Sequence, residues 1–171
     1  MGSQRRNYGL RAWDVEQAET WLVVDDTESD LIHMERSLAH LAGEVGLLTA
    51  RDRSTALEIL DRHRVDACIL DYYLSEEPGD AFIARVAQKY PHVPLIVVSN
   101  LTDTSKTIRS SGADWVMPKV ADARAFGQML TNAVRQAQSV RKLRMYPLTV
   151  ADLYVPTSLE QQIRNAVALP R

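Results

Sequence analysis

Trp21-Leu22-Val23-Val24-Asp25-Asp26 is a short apolar run that ends abruptly in two carboxylates. The pattern returns twice downstream. Val65 to Asp71 closes as Cys68-Ile69-Leu70-Asp71, and Leu95-Ile96-Val97-Val98 closes on Ser99. Apolar runs without alternation suit strands covered on both faces, as in a parallel sheet. Between them lie amphipathic stretches. Ser29 to Ala42 places Leu31, Met34, Leu38 and Leu41 at helical spacing, a helix opened by Asp52 or Ser54 carries Ala56, Leu57, Ile59 and Leu60, and Gly79 to Lys89 also reads as helix. Gly46 to Ala50 and Trp115 to Pro118 are further short strands, and a long helix runs from about Asp122 to Arg144. Strands alternating with helices predict an α/β fold, a doubly wound five-stranded parallel sheet over residues 20–141. Residues 1–19 form a polar arm containing Trp13, and residues 142–171 a partly helical C-terminal extension.

Composition narrows the function classes. Hydrophobic residues make up 46% and charged residues 25% of the 171-residue chain, which excludes wholesale disorder. Twenty Lys and Arg against 22 Asp and Glu leave a net charge of −2, so no overall field draws the chain to nucleic acid or an anionic membrane. The single cysteine, Cys68, excludes a disulfide framework and a Cys-rich zinc site, and inside the third strand it reads as inert core. No apolar run is long enough to span a bilayer, and the polar N-terminus is not a secretory signal. The expectation is a cytoplasmic protein with no nucleic-acid or membrane partner. His33, His40, His63 and His92 lack metal-like spacing and read as solvated or capping residues. Arg135, Arg141, Lys142 and Arg144 read as a complement to a helix C-terminus.

In open parallel sheets, ligands bind beyond the carboxyl ends of the strands. The residues expected there are Asp25, Asp26, Asp71, Ser99 and Lys119. A polar residue after a strand commonly marks only the exit of the chain into solvent. Three carboxylates, a hydroxyl and an ammonium at one sheet edge are a stronger signal.

Those residues carry a resemblance. Val-Val-Asp25-Asp26, Cys-Ile-Leu-Asp71, Val-Val-Ser99-Asn100, Gly112-Ala113-Asp114 and Pro118-Lys119, with Gly79 in place after Asp71, resemble the signature of receiver domains of two-component response regulators. The resemblance covers about Trp21 to Arg141 and implies a flavodoxin-like fold. It implies Mg²⁺ held directly by Asp26, through water by Asp25, and by Asp71 and the backbone carbonyl of Tyr73; an all-oxygen site with few protein ligands suits that ion. It further implies that Asp71 is the nucleophile that takes a phosphoryl group from a histidine kinase or histidine phosphotransfer protein. Lys119 and Ser99 would contact the phosphoryl oxygens.

The sequence also departs from the family pattern. Ser75 stands where Pro is common, Glu76-Glu77 adds charge to the same loop, and Val120 replaces the Pro that usually follows the lysine. The aromatic expected three residues before the lysine is Val116, with Trp115 one place earlier. A shift of one residue turns a side chain to the other face, so Trp115 reads equally as core filler or switch residue. Tyr73 and Leu101 are bulky where the family admits hydrolytic water, which implies slow autodephosphorylation. Between Ser99 and Gly112 the Ser- and Thr-rich sequence predicts a short, marginal fourth helix with mobile ends.

Phe126, Leu130, Ala133, Ala137 and Val140 form a stripe on the last helix, its first half expected against the sheet. In the tail, Thr157-Ser-Leu-Glu160 resembles a capping box. Residues 145–171 are too few for a helix-turn-helix domain, which needs roughly twice as many. The expected function is therefore a phosphorylated receiver without a DNA-binding output domain, signalling to a downstream protein partner. Apolar stripes on the last helix and tail would allow a homodimer. Two other readings remain open: a degenerate receiver serving as a phosphorylation-independent interaction module, and an aspartyl-phosphate hydrolase. The hydrolase is disfavoured because Tyr73, not Asp, stands two residues after Asp71.

Overall fold

The computed structural model describes residues 19–75, 77–100 and 105–145. In chain order these form β1 (Glu19–Val24), α1 (Glu28–Leu38) with a 3-10 turn (Ala39–Leu41), β2 (Val45–Ala50), α2 (Arg53–Arg62) and β3 (Ala67–Asp71). A hairpin of β4 (Tyr73–Leu74) and β5 (Glu77–Pro78) precedes α3 (Asp80–Lys89), β6 (Leu95–Val98), α4 (Ser105–Ser110), β7 (Trp115–Met117) and α5 (Ala123–Met145). The N-terminal arm, Leu101 and the tail with its capping box lie outside the described residues.

The main sheet is five-stranded in the order β2-β1-β3-β6-β7, with every pairing parallel. Successive side chains of a strand point to opposite faces, and the sequence meets that requirement on both. Leu22, Val24, Cys68, Leu70, Leu95 and Val97 join the core beneath α2, α3 and α4. Trp21, Val23, Ala67, Ile69, Ile96 and Val98 join the core beneath α1 and α5. This is why the central strands read as unbroken apolar runs.

Local chemistry sets the helix starts. Asp52 caps α2 by accepting the Thr55 N–H at 2.8 Å, and Asp122 caps α5 by accepting the Ala125 N–H at 2.7 Å. Helix α4 has only six residues, in keeping with its poor helix formers. On α5, Phe126, Leu130, Ala133 and Ala137 are buried and Val140 is exposed, so the stripe leaves the core where expected.

Three expectations need correction. Trp115 is 36% exposed on β7, the edge strand among the described residues, and is not core filler. The Arg109 guanidinium lies 6.0 Å from its ring centroid. Arg135 and Arg141 do not serve a helix C-terminus. Arg135 pairs with Glu19 at the start of β1, and Arg141 pairs with Asp114 at 2.7 Å, fastening α5 to the amino-terminal edge of the sheet. His33 is neither solvated nor a cap: its Nε2–H donates to the Val120 carbonyl at 2.8 Å, and its ring stacks on Phe126. The β4–β5 hairpin was not anticipated at all.

Candidate functional site

The chain leaves β1 toward β2 on one side and returns to β3 on the other. The carboxyl ends of β1 and β3 therefore flank a topological switch point, where open α/β sheets place ligands. Asp25 and Asp26 follow β1, and Asp71 ends β3. Each of the three offers a carboxylate oxygen, and those oxygens all lie within 4.8 Å of one another. Lys119, two residues past β7, brings its Nζ to 3.0 Å from Asp25 Oδ2 and 3.5 Å from Asp71 Oδ1. Ser99 follows β6, is buried, and donates its N–H to the Met117 carbonyl at 3.0 Å.

The carboxylates differ in surroundings. Asp25 is fully buried, and both its oxygens accept protein hydrogen bonds: Oδ1 from the Thr27 N–H at 2.9 Å and Oδ2 from Lys119. Asp26 is half-buried, and its Oδ2 accepts the Ser75 N–H at 2.8 Å. That contact needs the left-handed backbone of Ser75, φ +56°, and a free N–H. Proline provides neither, so the departure at position 75 has a local consequence. Tyr73 begins β4, half-buried, with its ring edge-on to Tyr72.

Burial and neighbouring charge act on the ionisable groups together. Burial, aided by the Asp25 charge, pushes the Asp71 carboxyl up to about 6, with Lys119 pulling the other way. Burial also raises Asp25, against the Thr27 N–H and Lys119. For Lys119 burial opposes the charged form, but hydrogen bonds to Asp30 and Asp25 outweigh it and hold the ammonium above the ordinary lysine value.

The donor set is consistent with a small hard cation. Three clustered carboxylates with one ammonium leave excess negative charge in a largely buried place, and all the donors are oxygens.

A family model for the response regulator receiver domain matches residues 21–131. The chain belongs to that family. This receiver is 29% identical over 124 residues to the transcriptional regulatory protein CitT of Bacillus subtilis, covering 71% of this chain and 52% of CitT. It is 30% identical over 100 residues to the putative two-component response regulator ARR21 of Arabidopsis thaliana, covering 57% of this chain and 16% of ARR21. It therefore spans about half of one curated relative and a sixth of the other. Among solved structures, the signal receiver domain of an HD domain-containing protein from Pseudomonas fluorescens Pf-5 superposes with a TM-score of 0.62 at 28% identity, over 73% of this chain and 98% of that one. A response regulator receiver domain from Clostridium thermocellum gives 0.61 at 22% identity, over 73% and 98%, a likeness of fold. Receiver domains generally bind Mg²⁺ at an acidic pocket and interact with histidine kinases or phosphotransfer proteins, and this chain carries an Asp cluster at the carboxyl edge of its sheet. Among the described residues no helix is long and apolar enough to cross a membrane.

The structure thus brings together Asp25, Asp26, Asp71 and Lys119 and sets Ser99 at the end of the neighbouring strand. Asp114, part of the motif set, lies elsewhere: its Oδ2 accepts the Leu95 N–H at 2.8 Å and pairs with Arg141. Asp30, which the sequence offers only as helix-start chemistry, also contacts Lys119. Asp30 lies in the first turn of α1.

Proposed function

We propose that this receiver accepts a phosphoryl group on Asp71 from the phosphohistidine of a kinase or phosphotransfer protein and passes the signal on through protein contacts. The observation that carries the reading is the grouping of three carboxylate oxygens within 4.8 Å, with the Lys119 ammonium 3.5 Å from Asp71.

In the transfer, an Asp71 oxygen attacks phosphorus, the P–N bond breaks, and the leaving imidazole keeps the electron pair. The product is an acyl phosphate. Asp26, Asp71 and the Tyr73 carbonyl are assigned as direct Mg²⁺ ligands, and Asp25 as a partner through water. The ion would supply positive charge against the phosphoryl oxygens. Lys119 contributes a second positive charge, and the Ser99 hydroxyl donates a hydrogen bond to one oxygen. Residues 20–141 are assigned to the receiver and 142–171 to a segment for contact with a partner or a second copy.

Intact-mass spectrometry after incubation with acetyl phosphate and Mg²⁺ tests the assignment. The expected result is one added phosphoryl mass in the wild type and none in Asp71→Asn. No added mass in the wild type, with Mg²⁺ binding demonstrated, would favour the interaction-module reading.

A further inference from the structure

We infer that Asp30 is a positioning residue acting through Lys119: in the resting protein it holds the ammonium away from Asp71, and it must release it before Lys119 can engage a phosphoryl group. The inference rests on the reading of Asp71 as phosphoacceptor.

Lys119 Nζ has three donor hydrogens and three carboxylate neighbours. The contacts are unequal. Asp30 Oδ2 is the closest, Asp25 Oδ2 follows at 3.0 Å, and Asp71 Oδ1 stands at 3.5 Å, too far for a good hydrogen bond. Asp30 and Asp25 therefore claim the ammonium ahead of Asp71.

The two holders differ in what releasing the lysine would cost. Asp25 has a side chain with no solvent exposure, so losing Lys119 would leave a buried carboxylate short of a partner. The Asp30 side chain is 38% exposed, so water can replace the ammonium there. Asp30 also lies in the first turn of α1, where a helix start favours a carboxylate. A cleft of about 460 Å³ borders both Asp30 and Lys119, so water can reach the pair and solvate the Asp30 carboxylate once the lysine leaves. Asp30 is accordingly the partner that Lys119 gives up.

Helix-start complementarity alone would also explain an acid at position 30, and the test separates the two. Affinity for beryllofluoride, a mimic of the acyl phosphate, is measured with Mg²⁺ by titration calorimetry on wild type, Asp30→Asn and Glu28→Gln. Glu28 lies in the same helical turn and pairs with Arg51. Asp30→Asn should bind roughly threefold to tenfold tighter, the range set by removing one partly exposed charge-assisted contact. Glu28→Gln should match wild type. A second readout needs no metal: denaturation midpoints of Asp30→Asn, Lys119→Met and the double variant should be non-additive. Unchanged or weaker binding by Asp30→Asn, equal tightening by Glu28→Gln, or additive midpoints would each overturn the inference. Failure of the wild type to bind beryllofluoride would instead overturn the phosphoacceptor reading itself, and this inference with it.

Discussion

Gly127 of α5 lies against Ser37 of α1 so closely that a Cβ at position 127 would come within 1.9 Å of the Ser37 carbonyl oxygen. The two helices that cover one face of the sheet thus meet through bare backbone. Neither partner can yield by a rotamer change, because the obstructing atom belongs to the main chain. Gly127→Ala should lower stability by more than about 2 kcal/mol despite the better helix propensity of alanine. Urea denaturation measures it, and a neutral or stabilised variant would show that α5 does not pack this way.

Glu19 supplies a pH-dependent fastening for the same helix. Burial raises its carboxyl, but hydrogen bonds from Gln138, Trp21 and Arg135 prevail and hold it below the usual value. A carboxyl depressed in the folded state adds stability above its unfolded value, and loses it as pH falls through the folded one. Glu19→Gln should therefore cost about 1 kcal/mol at pH 7, discounted for partial exposure. The gap between variant and wild type should close as pH falls below the model-peptide range near 4. A gap independent of pH would count against the charged pairing.

Magnesium should stabilise the folded protein, by an amount that grows with the logarithm of its concentration above the dissociation constant, because the carboxylate cluster exists only when β1 and β3 are paired. The melting temperature should climb with Mg²⁺ concentration and return on chelation. Asp26→Asn should shift the curve to higher Mg²⁺. A melting temperature indifferent to the ion would remove the metal assignment.

Tyr73 and Leu101 provide no carboxylate or amide to orient water for attack on an acyl phosphate. The phosphorylated form should consequently be long-lived, and replacing the pair with Asn and Glu should shorten its half-life about tenfold or more. Decay followed by mass spectrometry decides it. Unchanged or slower loss in the double variant would assign the persistence to something else.

The layers and their order were legible because each central strand is apolar on both faces, as Ile69 and Leu70 illustrate by entering opposite cores. The grouping of the candidate residues at one sheet edge was legible for a related reason, since a carboxylate or hydroxyl stands at the end of an apolar strand. Asp30 and His33 escaped because their chemistry depends on what faces them from the far end of the chain: Lys119 for one, the Val120 carbonyl for the other. The arginines of α5 were misread for the same cause, since their carboxylate partners lie 27 and 116 positions away.

By itself the sequence determined the alternation of strand and helix, the two-faced burial of the sheet and the identity of the residues gathered at its carboxyl edge. Periodicity and polarity are properties of neighbouring residues, and these features follow from them. Only the tertiary structure decided which carboxylates share Lys119 and how unequally. It alone set Trp115 half-exposed on β7, aimed the Ser75 amide at Asp26 and brought Gly127 against Ser37. Those are distances between segments far apart in the chain, and they arise only when the two cores pack against the sheet and fix every strand end relative to the others.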